Sequence, residues 1–365
     1  MSTRRLAGLG LAAFLVGACS GGPGAPAGSQ TTAAPTMVTP DPSPTPAATP
    51  LGNPTPVPSP IAIRPGEPWL VVAWFPNALY LVRPDGSDRH RLELGVTGEP
   101  FAPSWSPDGR RIAFVLRDTK TPDGSIWTAA ADGSGASLLY DGNGACGQGA
   151  FWPVWSPDGT RLAMVCYYAL DGTDQAALAI LDPATMHKTE LYRVPSPELI
   201  DNPPSWSPDG TTLSFEIEQW DASGKIVLGS QLATIPATGG KVRRITDPKL
   251  FAAHPDWSPD GRLLAFNTYD TGNTHGISQP SNIFTITPDG SGMRQLSTAS
   301  TDGKMRLGQP FWSPDGARIW VSVARDWEKD STGQYKNTLG WVDATTGAFH
   351  EIGTEGKRFR ERPIH

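Results

Sequence analysis

The residues able to do chemistry are few and widely spaced. The six His stand at 90, 187, 254, 275, 350 and 365, with no His-x-His or His-Glu-x-x-His spacing to form a metal site. No Gly-x-Ser-x-Gly elbow offers a nucleophilic serine; Ser134 and Ser291 sit in Gly-Ser-Gly turns. Three Cys remain, at 19, 146 and 166. Cys19 ends the stretch Val16-Gly17-Ala18-Cys19. Cys146 and Cys166 form an even pair, which an oxidising compartment could join. Hairpin geometry places Cys166 opposite about residue 150, so a disulfide requires the Gly-rich loop 142–149 to fold back. The alternative is that Cys166 is a small core residue.

The elements around these residues follow from a repeat. Trp-Ser-Pro-Asp-Gly occurs five times, with Trp at 105, 155, 206, 257 and 312. Pro sets φ at the second turn position, Asp suits the third, and Gly takes the left-handed position that closes a hairpin. Strands are expected after each turn, at 111–116, 161–167, 212–217, 262–267 and 318–323. Large residues such as Phe114, Met164, Phe215 and Phe266 lie on one face, with Ala113, Ala163, Ser214 and Ala265 on the other. Such strands are buried on both faces, as in stacked sheets. Third strands (177–181, 282–286), a second turn and a fourth strand (241–245, 293–296) complete a unit of about 50 residues, the length of a four-stranded propeller blade. Residues 69–94 supply three strands of a further unit.

The missing first strand is expected at the other end. Each repeat Trp has Pro two residues before it, at 103, 153, 204, 255 and 310. Pro363 repeats that register, with His365 in the Trp position. The expected fold is therefore all-β, a six-bladed β-propeller whose C-terminal strand, 358–365, closes the first blade. Pro is tolerated there because the first strand of a blade borders the central channel. The Asp residues of the five turns are turn formers rather than a carboxylate ring.

The repeats resemble the TolB-like (WD-like) propeller family, over about residues 67–365. The resemblance implies the fold strongly and a function weakly, since this propeller serves binding proteins, peptidases and lyases. The family's small domain ahead of the propeller has no counterpart here.

The N-terminal segment reads as an address. Arg4 and Arg5 precede an apolar run from Leu6 to Val16, too short to span a membrane. The 1–19 segment is similar to a lipoprotein signal whose lipobox Cys19 is lipidated. Residues 20–66 hold 13 of the 37 Pro and no charge but Asp41 before Arg64. Such a stretch cannot bury a core and is expected to be a disordered tether. The net charge of −6 argues against nucleic acid. The expected place is the bacterial cell envelope, on the outer face of the cytoplasmic membrane or, in a diderm cell, the outer membrane.

Two site regions are expected. Position three before each Trp, together with its surroundings, lines the channel: Asp201, His254, Gln309 and Arg362. His254 and Gln309 would be neighbours, and some propeller lyases hold a metal with such a pair; a wet polar channel is the plainer reading. Long loops at 117–124, 167–176, 218–230, 267–281 and 324–337 carry Tyr167, Tyr168, Trp220, Tyr269, His275, Trp327 and Tyr335, aromatics suited to recognition. The expected function is a non-catalytic scaffold that binds a protein or peptide, with no cofactor, acting as a monomer on a lipid anchor. A lyase or lactonase-like enzyme with a channel metal and a glycan-binding module are the alternatives.

Overall fold

The computed structural model describes residues 63, 67–74, 78–117, 124–170, 173–222, 224, 226–268, 281–298, 305–329, 335–355 and 357–361. Cys19, Tyr269, His275 and Arg362, the 1–19 segment, nearly all of 20–66 and the side chains of Trp327 and Tyr335 lie outside that description.

The described strands form five sheets, the largest of which holds two consecutive antiparallel groups. The first group holds β1 (Leu70–Trp74), β2 (Ala78–Val82) and β3 (His90–Arg91). The second runs β4 (Glu99–Trp105), β5 (Arg111–Arg117), β6 (Gly124–Ala130) and β7 (Ser137–Tyr140). After a single turn, α1 (Gly142–Ala145), come β8 (Gly149–Trp155), β9 (Leu162–Leu170), β10 (Thr173–Asp182) and β11 (His187–Arg193). The fourth group is β12 (Glu198–Leu199), β13 (Ser205–Trp206), β14 (Thr212–Trp220), β15 (Val227–Pro236) and β16 (Arg243–Arg244). The fifth is β17 (Ala252–Trp257), β18 (Leu264–Thr268), β19 (Ile283–Ile286) and β20 (Arg294–Gln295). The sixth is β21 (Met305–Trp312), β22 (Arg318–Lys329), β23 (Tyr335–Asp343) and β24 (Phe349–Glu355). A last strand, β25 (Lys357–Glu361), pairs antiparallel with β1, Leu70 opposite Glu361.

The repeat turn is built as its residues dictate. In the first copy the Gly109 N–H donates to the Ser106 carbonyl at 2.8 Å, and Gly109 has φ +63°. The Ser106 hydroxyl donates to Asp108, and the Arg111 N–H donates back to that hydroxyl at 2.9 Å. The glycine also makes room between groups: a Cβ on Gly159 would stand 3.1 Å from Pro107 of the preceding turn.

Both sheet faces are buried, large residues against small. Ala113, Ala163, Ser214 and Ala265 are as inaccessible as Phe114, Met164, Phe215 and Phe266. Apolar clusters join the first group to the second through Trp69, Leu79, Leu81 and Phe114, and the fourth to the fifth through Leu232 and Phe266. Leu70, Val72 and Val82 of the first group pack on Phe311, Trp320 and Leu339 of the sixth. The second and third groups are further linked by one parallel bridge, Gly124 with Gly149. Gly124 must lack a side chain there, since a Cβ would meet the Phe151 ring at 2.7 Å.

The expected loop 324–337 is mostly strand, with β22 reaching Lys329 and β23 starting at Tyr335, and so is the expected loop 167–176. β9 and β10 pair from Leu162–Leu181 to Thr173–Leu170, leaving only residues 171–172 between them instead of a loop over 167–176. Tyr167 therefore lies inside a ladder and is 1% exposed, so it cannot belong to an exposed recognition face. Alternation along a long hairpin put its ring inward, where Phe151 packs edge-on at 5.2 Å.

Cys146 and Cys166 are joined by a disulfide, with Cα atoms 5.0 Å apart. Cys166 pairs with Ala150 in the β8–β9 ladder. The loop doubles back to bring Cys146 within reach: the Cys146 N–H donates to the Gly142 carbonyl, and the Gln148 N–H to the Tyr167 carbonyl.

Candidate functional site

The first strands of the groups converge on one cavity of about 600 Å³, counting the part open to solvent. Its wall repeats one dipeptide, a residue followed by Pro: Ala102-Pro103, Trp152-Pro153, His254-Pro255 and Gln309-Pro310. In all four the residue before Pro has a left-handed backbone, φ +50° to +60°. Each sits at a bulge, where one extra residue shifts the register of β4, β8, β17 or β21. A non-glycine residue in that conformation costs about 1 kcal/mol or more, so the surrounding fold must enforce it. Such strain gathers at sites where a side chain or backbone group has to be aimed.

The fourth group breaks the pattern for a physical reason. Pro203 occupies the equivalent position, and its ring locks φ near −65°. It cannot adopt the left-handed bulge. The first strand there is accordingly split into β12 and β13, and Asn202 lines the cavity beside Pro203.

The wall has two sides. Ala102, Trp152 and Val154 are apolar; Asn202, His254 and Gln309 are polar. The residue ten after each repeat Trp explains the division: Val115, Val165, Glu216, Asn267 and Ser322. Two of the polar ones, Glu216 and Asn267, hold the next group's left-handed residue, while the Ser322 hydroxyl donates to the Gly308 carbonyl of its own group. Glu216 is fully buried, and its carboxylate accepts from the His254 N–H (3.2 Å), the Asn202 amide (2.8 Å) and the Ser230 hydroxyl (2.8 Å). Asn267 Oδ1 accepts from the Gln309 N–H at 3.2 Å and lies 3.0 Å from His254 Nδ1. An oxygen that accepts from both requires a proton on His254 Nδ1. Val115 cannot hold Trp152 in this way, and Pro203, at the position after Val165 in the same series, has no N–H to hold.

Behind this wall lies a second charged layer. Asp201 is buried and accepts from the Tyr167 hydroxyl at 2.6 Å. Burial, then the Asp201 charge, pushes the Tyr167 phenol well above its ordinary range. Arg117 lies over the Phe101 ring at 4.8 Å, and burial pulls its guanidinium down against the opposing pull of Glu99 and Asp201. Glu218 is buried and accepts from the Trp220 indole at 3.0 Å.

Of the expected channel residues, His254 and Gln309 do line the cavity, and Asp201 stands behind it, next to Asn202. Of the expected aromatic face, only Tyr167, Tyr168 and Trp220 have described side chains. Tyr168 is half-buried on β9 under Arg193, at 4.1 Å, and Trp220 lies half-buried at the end of β14. Glu216 and Asn267 were missed. Their signal was present, as polar residues in second strands whose equivalents are valines. Among the described residues no group of three or more His, Cys, Asp or Glu is placed to hold a metal.

Four-stranded antiparallel meanders packed face to face around an axial cavity define a β-propeller-like protein. The model of the TolB beta propeller domain matches residues 78–330, and the chain belongs to that family. A stretch of 127 residues is 30% identical to the "Uncharacterized peptidase YuxL" of Bacillus subtilis, covering 33% of this chain and 17% of that protein. Another of 88 residues is 32% identical to the "Tol-Pal system protein TolB" of Syntrophus aciditrophicus, covering 24% of this chain and 17% of that one. The matches thus span under a fifth of either relative's length. The fold is similar to TolB from Acinetobacter baumannii, with TM-score 0.57 and 18% identity over 81% of this chain and 66% of that one. It is also similar to a putative TolB from Agrobacterium tumefaciens, with TM-score 0.55 and 18% identity over 82% of this chain and 99% of that one.

Proposed function

We propose that residues 67–365 form a closed six-bladed ring that acts as a non-catalytic scaffold, binding a protein or peptide segment at its axial cavity. In this reading the 1–19 signal carries the chain out of the cytoplasm, Cys19 is lipidated, and residues 20–66 tether the ring in the cell envelope. The relative named for the Tol-Pal system supports an envelope role.

The observation that carries the binding role is the cavity wall. It sets an apolar side, with Ala102, Trp152 and Val154, against a side with two amides and an imidazole, Asn202, Gln309 and His254. A peptide presents both chemistries at once, apolar side chains and backbone donors and acceptors. The His254 and Gln309 backbones are pre-set by buried partners, so little ordering is left to oppose binding.

The test is a photo-crosslinking amino acid placed in cells at Gln309, at Asn202 and, as a rim control, at Thr189. A partner protein captured from both cavity positions and not from the rim is the expected result. Equal capture at all three, or none, rules the reading out.

A further inference from the structure

The Cys146–Cys166 pair has a cation placed on it. Lys188, on β11, reaches across β10 towards β9. Its Nζ donates to the Ala145 carbonyl at 2.7 Å and to the Tyr168 hydroxyl at 3.0 Å. It stands 3.9 Å from Cys146 Sγ and 4.0 Å from Cys166 Sγ. Both oxygens are neutral. The charged and titratable groups facing it are Tyr140, Tyr168 and Glu190, and Glu190 is already engaged by Arg193 at 2.6 Å. No carboxylate forms an ion pair with Lys188 among the described residues.

An intact disulfide carries no charge for an ammonium to meet. A thiolate does, and a neighbouring lysine is what lowers a thiol's pKa and makes it a better leaving group. Both sulfurs are buried, but Ala145 and Gly147, on either side of Cys146, are exposed. Cys146 therefore sits in a loop whose flanking residues meet solvent. Cys166 is held in the β8–β9 ladder.

We propose that Cys146–Cys166 is a thiol–disulfide exchange site served by a dithiol reductant, with Lys188 stabilising the thiolate that leaves. A reductant thiolate attacks Cys146 Sγ. The new bond is the mixed disulfide, the bond broken is Sγ–Sγ, and the electron pair departs on Cys166 as a thiolate beside Lys188. The reductant's second thiolate then attacks its own sulfur in the mixed disulfide. The reductant leaves as a disulfide, Cys146 leaves as a thiolate and takes a proton from solvent. The dithiol has been oxidised by two electrons and the protein pair reduced by two. The product frees the 142–149 loop, which joins the second strand group to the third. The inference is independent of what the cavity binds.

The experiment uses the folded, oxidised full chain, as wild type, Lys188→Gln and Lys188→Arg. Each is exposed to dithiothreitol at pH 7, trapped with iodoacetamide at intervals and read by mass spectrometry, with circular dichroism reporting the fold. The wild type should lose the bond while folded. Lys188→Gln should slow both reduction and alkylation of the reduced pair about tenfold, the effect of one pKa unit, and Lys188→Arg should stay near wild type. Reduction only upon unfolding, or equal rates in wild type and Lys188→Gln, overturns the proposal. Should Lys188→Gln not fold, the pH profile of alkylation of reduced wild type decides alone: both thiols titrating at or above about 8.5 overturn it.

Discussion

Asp158 does at the scale of one side chain what the repeat does throughout. The Ser156 hydroxyl, followed by the Thr160 N–H, holds its carboxyl at about 2, below the usual carboxylate range. Asp209, Asp260 and Asp315 are lowered for the same leading reason. At Asp108 burial pushes upward, and the bonds from Ser106 and Arg110 outweigh it. A carboxylate whose folded pKa is depressed stabilises the fold above its unfolded pKa, and loses that contribution as pH falls through the folded value. Acid destabilisation is therefore expected between about pH 4 and pH 2. The difference in thermal midpoint between wild type and Asp158→Asn should shrink across that window. Glu216 is the opposite case, a carboxylate wholly inside. Glu216→Leu strands the His254 N–H and the Asn202 amide, a cost of about 3 kcal/mol in urea unfolding, whereas Glu216→Gln keeps one acceptor oxygen and should cost less.

At the scale of the strand, the bulge before each proline governs the site. Gln309→Pro should do to β21 what Pro203 does in the fourth group. It forbids φ +51° and removes the N–H that Asn267 accepts, at about 3 kcal/mol or more. Amides at 306–308 should then lose hydrogen-exchange protection. Much at this scale was legible in the sequence. Ser-Pro-Asp-Gly specifies its turn through local chemistry, and the strands after it follow from alternation. The position three before Trp pointed to His254 and Gln309 because the repeat itself supplies the register. Tyr167 was misread because nothing local marks where a long hairpin ends. The left-handed bulge was invisible because Ala, Trp, His and Gln share no preference for it; neighbouring groups impose it. Glu216 and Asn267 went unnoticed because their partners lie 38 and 42 residues away, a relation only packing creates.

For the whole molecule the telling contact is between its ends. β25 covers the free edge of β1, while Leu70 and Val72 pack on Phe311 and Trp320. Deleting residues 357–365 should uncover a strand edge able to pair with other chains. The expected outcome is a lower thermal midpoint together with concentration-dependent association in size-exclusion chromatography. The same deletion with preserved monomer stability would mean that β25 contributes little.

The bonds that cross between neighbouring first strands carry a further consequence. The Trp155 N–H donates to Ser104 Oγ, the Trp257 N–H to Ser205 Oγ, and the Trp312 N–H to Asp256 Oδ2. Three of the five repeats thus close with an atom borrowed from the one before. Such a unit cut out at its sequence boundaries would take its donor and leave its acceptor behind. Val154 and Phe311, at the same position, offer no side-chain acceptor. If the chain were to be re-cut or circularly permuted, the joints between the second and third, the fourth and fifth, and the fifth and sixth groups are the ones where such a bond would be torn.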